Sequence, residues 1–176
     1  MEIIKTSIEG LVVIQPKVFE DERGYFMESY KEDFMAKNFP DIHFIQDNES
    51  KSSYGVLRGL HFQRPPFEQT KLVRVIEGEV LDVAVDLRMN STTYGKWESI
   101  VLSGKNKKQF LIPKGFAHGF VVLSREAIFS YKVDNYYAPE YDSGIIYNDH
   151  TLKIDWKLNE KDVIVSKKDK ELKPFQ

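Results

Sequence analysis

The chain has 176 residues, of which 41% are hydrophobic and 30% are charged, and its formal net charge is -2. This length and composition are typical of one globular domain with a sizeable core, so we expect a single domain over residues 1–176. A net charge so close to zero excludes the strong basic field of nucleic-acid-binding proteins. The absence of cysteine excludes disulfides, thiolate nucleophiles and thiolate metal sites.

No stretch of the sequence has the character of a membrane or export segment. None approaches the ~20 apolar residues that a membrane helix requires. The N-terminus carries acidic residues early and lacks the unbroken apolar core of a signal peptide. We therefore expect a cytoplasmic protein that binds neither nucleic acid nor membrane.

The first half of the chain predicts short strands and one helix. Runs rich in apolar, β-branched and aromatic residues predict strands at Ile3–Lys5, Leu11–Pro16, Tyr25–Ser29, Phe44–Asn48 and Val56–Gln63. Ser29 and Glu32 have the spacing of a capping box, which predicts a short helix over about 30–38, ended by Pro40. The segment 20–24 is expected to be a turn and 50–55 a polar loop.

Residues 71–88 predict a long hairpin with unusual inner chemistry. On its second strand, Asp82 and Asp86 share one face with apolar residues, and on its first strand Lys71 does the same. Two interpretations stay open. The charges face solvent, or they line a barrel with a polar interior onto which His61 opens. In that barrel, Lys71 could form an ion pair with either aspartate.

The second half of the chain continues with short strands. They are expected at Trp97–Leu102, Gln109–Ile112, Gly119–Leu123 and Ala127–Val133, followed by loops with short elements from Tyr136 onward. Many short strands at close spacing, separated by turn signals, indicate an all-β sandwich or barrel.

The segment Pro113–His118 looks like the second motif of a cupin. The expected fold is therefore an all-β, cupin-type jelly-roll barrel with short flanking helices. Cupins usually supply His-x-His from the first motif, and a later Glu, to a metal. Here that position contains His61-Phe-Gln63, so the second histidine is missing. Because transition metals require three or more protein ligands, we expect no metal and no other cofactor.

Eight short motifs follow one another along the chain. They are Arg23–Glu28, Gln46–Ser50, Gly55–Gln63, Lys71–Val75, Asp82–Arg88, Tyr94–Trp97, Pro113–Phe120 and Tyr131-Lys132. Each is weak alone, but their order and spacing closely resemble the dTDP-4-dehydrorhamnose 3,5-epimerase family over about residues 2–170. The resemblance implies epimerisation at C3 and C5 of dTDP-4-dehydro-6-deoxy-D-glucose to dTDP-4-dehydro-L-rhamnose, in dTDP-rhamnose biosynthesis. This chemistry removes and returns protons through an enolate and requires neither redox nor metal.

The resemblance also implies which residues are catalytic. His61 would be the base, because imidazole titrates near neutral pH, and Tyr131 would be the acid on the opposite face. Lys71 would stabilise the enolate. Asp169 would hold the tautomer of His61, although the Ser-x-x-Asp sequence that ends at Asp169 is also a helix N-cap signature. Asp162 is the alternative carboxylate.

Further residues match the family's substrate contacts. They are Arg23, Phe26, Glu28, Gln46, Asn48, Arg58, Gln63, His118, Tyr137, Asp142 and Lys168. Arginine suits a diphosphate, and Tyr137 matches an aromatic residue that stacks on thymine. Family members are homodimers in which N-terminal strands are exchanged. That exchange would bring Arg23, Phe26 and Glu28 to the partner's pocket.

Three other functions are compatible with the sequence. Relatives with the same histidine and tyrosine epimerise only C3 or only C5 of a related dTDP-4-keto-6-deoxy sugar. A metal-dependent cupin enzyme would contain a stoichiometric metal. A non-catalytic barrel would bind the nucleotide sugar without exchanging protons, but binding alone has no use for an acid and a base on opposite walls.

Overall fold

The structure is a computed structural model that describes residues 1–176. Fourteen strands are present: β1 (Glu2–Lys5), β2 (Val12–Gln15), β3 (Val18–Asp21), β4 (Gly24–Met27), β5 (Gln46–Ser53), β6 (Val56–Gln63), β7 (Lys71–Glu77), β8 (Glu79–Asp86), β9 (Trp97–Ser103), β10 (Gln109–Ile112), β11 (Phe116–Val122), β12 (Glu126–Val133), β13 (Asp142–Gly144) and β14 (Ile164–Val165). The helices are α1 (Glu32–Asn38), α2 (Lys167–Lys170) and two 3₁₀ turns at Pro139–Tyr141 and Glu160–Asp162. Neither α-helix is long and apolar enough to cross a membrane.

The strands form two main sheets. The first has the order β1-β2-β10-β7-β12-β5, and the second has the order β13-β6-β11-β8-β9 with β14 added in parallel to β6. Strands β3 and β4 pair only with each other and form a separate hairpin. The predicted all-β, cupin-type jelly-roll barrel with short flanking helices is confirmed.

The core follows from the period-two pattern of the strands. On β8, Val80 and Ala84 pack in the barrel interior against residues of the first sheet such as Val73. Leu81 and Val83 point to the other face and pack beneath the C-terminal segment. Both faces of β8 are therefore covered, and each fully buried Val or Leu side chain contributes about 1.5–3 kcal/mol.

The hairpin charges lie inside the barrel. Asp82 and Asp86 are both 0% exposed, so the interpretation that they face solvent is wrong. Asp86 accepts hydrogen bonds from Arg88, Ser91 and Thr93. Burial raises the pKa of Asp86, but these hydrogen bonds outweigh burial and hold it well below its usual range.

Two N-terminal expectations are wrong. Helix α1 begins at Glu32 after an N-cap at Lys31 that makes no side-chain bond, so Ser29 forms no capping box. The backbone carbonyl of Ser29 instead accepts a hydrogen bond from the buried Gln109 side chain. Strand β3 was not expected, and the turn that follows it is correspondingly shorter than the predicted segment 20–24.

Two strand boundaries also differ from expectation. Strand β5 continues to Ser53 through the segment predicted as a polar loop, because it pairs with β12 along its whole length. Strand β11 begins at Phe116, so His118 lies within a strand and not in a turn. Both differences matter to the site, because β5 and β11 carry residues that line it.

Candidate active site

A cleft of about 720 Å³ opens into the barrel between the two sheets. Most of the predicted site residues line it: Asn48, Arg58, His61, Gln63, Lys71, His118, Tyr131, Tyr137, Asp142, Lys168 and Asp169. Four others do not: Arg23, Phe26, Glu28 and Gln46. Gln46 lies beside the cleft, where its amide donates to the side-chain oxygen of Asn48 at 2.8 Å.

His61 is paired with a buried carboxylate. Its Nε2 lies 3.1 Å from Oδ1 of Asp169, whose side chain is only 7% exposed. Burial lowers the pKa of His61, and the charge of Asp169 partly opposes that effect. His61 is therefore neutral at neutral pH and can accept a proton.

Asp169 is held in place from two other sides. Its backbone N–H donates to Oγ of Ser166, the N-cap of α2, at 3.1 Å. Its Oδ2 accepts from the backbone N–H of Gly59 at 3.3 Å. The Ser-x-x-Asp sequence is thus an N-cap, and the same aspartate also contacts His61. Asp162 lies in a 3₁₀ turn, where it accepts from Asn159.

Gly59 permits this arrangement because it has no side chain. Its φ is +127°, and a Cβ atom there would lie 2.6 Å from Cα of Gly119 on β11. Glycine therefore allows β6 to approach β11 closely while its N–H points at Asp169.

Tyr131 and Lys71 lie on the opposite sheet from His61. Tyr131 pairs in register with Val73 on β7, so it shares the inward face with Val73 and Lys71. Burial raises the pKa of Tyr131, against a smaller opposing effect of Arg58, so its hydroxyl stays protonated at neutral pH. Burial lowers the pKa of Lys71 to about 8, against the opposing charges of Asp82 and Asp142.

Lys71 does not form the ion pair considered from the sequence. Asp86 pairs with Arg88, and both oxygens of Asp82 lie 2.9–3.0 Å from Nε2 of His118. The contact between Asp82 and His118 was not expected from the sequence. Both residues sit on inward-facing positions, but the contact depends on the register of β8 against β11, which sequence alone does not give.

Polar side chains cluster at one end of the cleft. Asp142 accepts hydrogen bonds from the Tyr137 hydroxyl, at 3.1 Å, and from the Lys168 ammonium. Nearer the start of β6, the exposed Arg58 donates from Nε to Oγ of Ser52, which leaves its outer nitrogens free. Two cations, an exposed aromatic ring and several amide groups therefore line one continuous groove, which suits an aromatic base linked to a diphosphate.

Comparison with known proteins identifies the family. A family model described as dTDP-4-dehydrorhamnose 3,5-epimerase matches residues 5–176. The chain belongs to this family. A dTDP-4-dehydrorhamnose 3,5-epimerase from Methanothermobacter thermautotrophicus is 55% identical over 174 residues, which cover 98% of this chain and 94% of the relative. The family is one of isomerases, so the chain is an epimerase-family protein.

Solved structures of 3,5-epimerases superpose closely on this fold. The enzyme from Elizabethkingia anophelis has a TM-score of 0.95 and 53% identity, with 99% of this chain and 96% of that chain covered. The enzyme from Legionella pneumophila, solved in complex with dTDP-4-keto-L-rhamnose, has a TM-score of 0.94 and 50% identity, with 98% and 92% covered.

In this epimerase-family chain, Gln63 organises loops. Its amide donates to the carbonyl oxygens of Phe67 and Tyr136, and its Oε1 accepts from the N–H of Ala138 at 2.6 Å. These three bonds occupy the amide, so Gln63 fixes the loop that carries Tyr137. No group of three or more His, Cys, Asp or Glu side chains is assembled as a metal site.

Three predicted site residues of this epimerase-family chain lie on the hairpin β3–β4 or just beyond it, away from the cleft. Arg23 pairs with Asp21, and Glu28 lies 3.8 Å from the ammonium of Lys31. Phe26 is 66% exposed, and Phe19 and Tyr25 on the same hairpin are also exposed. Within one chain, these residues do not join the cleft.

Proposed function

We propose that the protein epimerises C3 and C5 of dTDP-4-dehydro-6-deoxy-D-glucose and forms dTDP-4-dehydro-L-rhamnose in cytoplasmic dTDP-rhamnose biosynthesis. The observation that carries this proposal is the placement of a proton acceptor and a proton donor on opposite walls of one cleft. His61 belongs to the second sheet and Tyr131 to the first. Inversion at a carbon requires that the proton leave one face and return to the other.

His61 acts as the base. The C4 ketone acidifies the hydrogens on C3 and C5, and the neutral imidazole removes them in turn. Since Nε2 contacts Asp169, Nδ1 is the nitrogen available to the substrate. The carboxylate holds the ring orientation and stabilises the imidazolium that forms, as in other His–Asp pairs. The depressed pKa of His61 favours the form that accepts a proton.

Tyr131 and Lys71 complete the reaction from the other wall. The tyrosine hydroxyl, kept protonated by burial, delivers a proton to the face opposite His61. Lys71, with a pKa of about 8, is largely cationic at neutral pH and stabilises the enolate oxygen as charge develops there. The cycle returns every proton that it removes, so it consumes no oxidant or reductant.

The nucleotide binds along the groove at the cleft mouth. Arg58 and Lys168 offer charge to the diphosphate, His118 offers a further contact, and Tyr137 offers an aromatic face to thymine. Asn48, with Gln46 beside it, supplies amide groups, and Asp142 orients Tyr137 and Lys168.

The functional unit is a homodimer with exchanged N-terminal strands. The hairpin β3–β4 pairs with nothing else in its own chain, and β5 is a free edge of the first sheet. If the hairpin of one copy added to the β5 edge of the other copy, the unpaired backbone groups of both would be hydrogen-bonded. It would also bring Arg23, Phe26 and Glu28 to the partner's groove.

Proton NMR in D2O tests the reaction directly. The protein is incubated with dTDP-4-keto-6-deoxy-D-glucose, and loss of both the C3 and C5 proton signals is expected. Loss of one signal would indicate an epimerase of a single position. The variant His61→Ala is the control: it should lose exchange at both carbons while it still binds dTDP and keeps its fold. Exchange by the wild type at neither carbon would overturn the proposal.

A further inference from the structure

A second histidine–carboxylate pair lies on the same wall as His61. Asp82 is completely buried on β8, and its only hydrogen-bond partner is Nε2 of His118, at 2.9 and 3.0 Å from its two oxygens. His118 pairs in register with His61 across β11 and β6. The pairs Asp169–His61 and Asp82–His118 therefore lie side by side, and the proposed chemistry uses only the first.

The ring of His118 presents one nitrogen to the cleft. Nε2 is turned toward Asp82, whereas Nδ1 has no hydrogen-bond partner in the protein. Every fully buried polar side-chain atom in the protein does have a partner, so Nδ1 is not fully buried. It is therefore accessible from the cleft that His118 lines. Phe129 stacks at 6.1 Å from the imidazole and limits its rotation. An ionised carboxylate only accepts hydrogen bonds, so Asp82 places the ring proton on Nε2.

Asp82 also faces Lys71 across the barrel. Lys71 belongs to the first sheet and Asp82 to the second. Burial raises the pKa of Asp82 and lowers that of Lys71, and the charge of each group opposes the effect of burial on the other. The other titratable groups around Lys71 are Asp142 on β13, His61 on β6 and Tyr131 on β12. Of these, Asp142 is already neutralised by Lys168. Asp82 is therefore the principal carboxylate opposite Lys71.

We propose that Asp82 is a positioning residue for the epimerisation: it orients His118 with Nδ1 toward the substrate and places a negative charge opposite Lys71. A purely structural role for Asp82 does not explain why a charged residue is buried at this position. A buried charged pair is often no more stable than apolar side chains of similar volume, and the inward positions of β8 on either side of Asp82 hold the apolar residues Val80 and Ala84.

The test compares two buried aspartates on the same face of the same strand. Asp82→Asn removes the charge behind His118 and opposite Lys71, whereas Asp86→Asn removes an equally buried charge that faces Arg88. We expect Asp82→Asn to lower kcat/KM by roughly 10- to 100-fold, the range found for carboxylates behind metal-bound histidines. It should also move the alkaline limb of kcat/KM to lower pH by about one pH unit.

The Asp86→Asn control should change thermal stability and leave the pH profile of kcat/KM in place. Identical pH profiles for Asp82→Asn and the wild type would overturn the inference. So would an equal shift in both variants, because the effect would then not depend on the group that Asp82 faces. Rescue by Asp82→Glu, which restores the charge, should return the limb toward the wild-type position.

A measurement on the wild-type protein covers the case in which Asp82→Asn does not fold. With four histidines in the chain, ¹⁵N NMR of histidine-labelled protein can resolve each ring, and His118 should carry a proton on Nε2. An Nε2 without a proton would overturn the proposed orientation of His118.

The inference rests on the proposed epimerase function, so the wild type is assayed first. If it exchanges neither proton, the proposed function fails; if it exchanges both, the variants test Asp82 alone.

Discussion

Nε2 of His61 lies 3.1 Å from Oδ1 of Asp169, although the two residues are far apart in the sequence. The contact joins β6 of the barrel to the short helix α2 near the C-terminus. Ser166 and Gly59 fix the carboxylate from two other directions. The orientation of the His61 ring therefore depends on how the C-terminal segment packs against the barrel, and not on β6 alone.

The variant Asp169→Asn should separate orientation from binding. An asparagine amide can donate to Nε2, which would move the ring proton to Nδ1 and leave no lone pair facing the substrate. We expect kcat to fall roughly 10²- to 10⁴-fold, with little change in dTDP affinity. Steady-state kinetics and calorimetric titration with dTDP measure the two effects.

Asp162→Asn is the matched control for that variant. Asp162 was the alternative carboxylate from the sequence, but it lies in a 3₁₀ turn and bonds Asn159. Its substitution should leave kcat unchanged. If Asp162→Asn reduced kcat as much as Asp169→Asn, the contact at 3.1 Å would not be the one that supports the base.

The strands that were predicted correctly are those with a clear pattern in the local sequence. Strands β6 and β10 have the expected bounds, because apolar runs end at clear turn residues. The predicted strand ended too early because every residue of β5, Gln46–Ser53, is polar or charged. Its strand conformation is stabilised by pairing with β12 along eight residues. That contact joins distant parts of the chain and leaves no trace in local hydrophobicity.

In the candidate site, too, some features were predictable from the sequence and others depend on contacts between distant parts of the chain. Matched motifs indicated that His61, Lys71 and Tyr131 would share a pocket, and they line one cleft. The partner of His118 could not be predicted, because it depends on how β8 and β11 align. Gln63 was predicted as a substrate contact, yet three backbone groups occupy its amide. Residue type alone does not show whether an amide is already bonded.

Tyr131→Phe should uncouple proton removal from inversion. The variant retains the ring that packs near Phe129 at 6.1 Å but lacks the hydroxyl that returns the proton. His61 can still remove a proton and return a solvent deuteron to the same face. We expect NMR in D2O to show deuterium incorporation with product formation reduced by roughly 10²-fold or more.

Tyr141→Phe is the control for Tyr131→Phe, since Tyr141 is a half-buried tyrosine outside the cleft lining that packs on Phe67. It should exchange and invert like the wild type. If Tyr131→Phe also inverted C3 and C5 at the wild-type rate, the tyrosine hydroxyl would not be the acid.

The pH dependence of kcat/KM, which reports the pKa values of groups in the free enzyme, should be bell-shaped. The base must be neutral, and burial lowers the pKa of His61, so the acidic limb should lie below the usual histidine range. Lys71 must be charged, and its pKa is about 8, so kcat/KM should fall as the pH rises through about 8. Burial raises the pKa of Tyr131, which places its deprotonation at higher pH.

Substitution of the lysine tests the assignment of the alkaline limb. Lys71→Gln should reduce kcat/KM at every pH and abolish the alkaline limb near pH 8. Lys114→Gln removes a partly exposed lysine that pairs with Asp134, and its profile should match the wild type. If the alkaline limb persisted in Lys71→Gln, the titrating group responsible for it would not be Lys71.

Subunit complementation tests whether hairpin β3–β4 serves the partner's cleft. His61→Ala lacks the base, and Arg23→Ala lacks a predicted contact to the diphosphate, so each should be strongly impaired alone. If the hairpin acts across the dimer, a mixed dimer contains one site with both His61 and the partner's Arg23 intact. Equal mixing makes half of the dimers mixed with one working site each, which should restore about one quarter of wild-type activity.

The same experiment distinguishes exchange of the hairpin from action within one chain. If Arg23 served its own cleft, no mixed dimer would contain an intact site, and activity would stay at the level of the two single variants.

Light scattering gives an independent measurement of the dimer. Phe26→Asp places a charge on the exposed aromatic patch of the hairpin β3–β4 and should shift the measured mass toward that of the monomer. Met89→Asp changes an apolar residue that is 80% exposed outside the hairpin and should leave the dimer intact, because the exchange does not involve its surface.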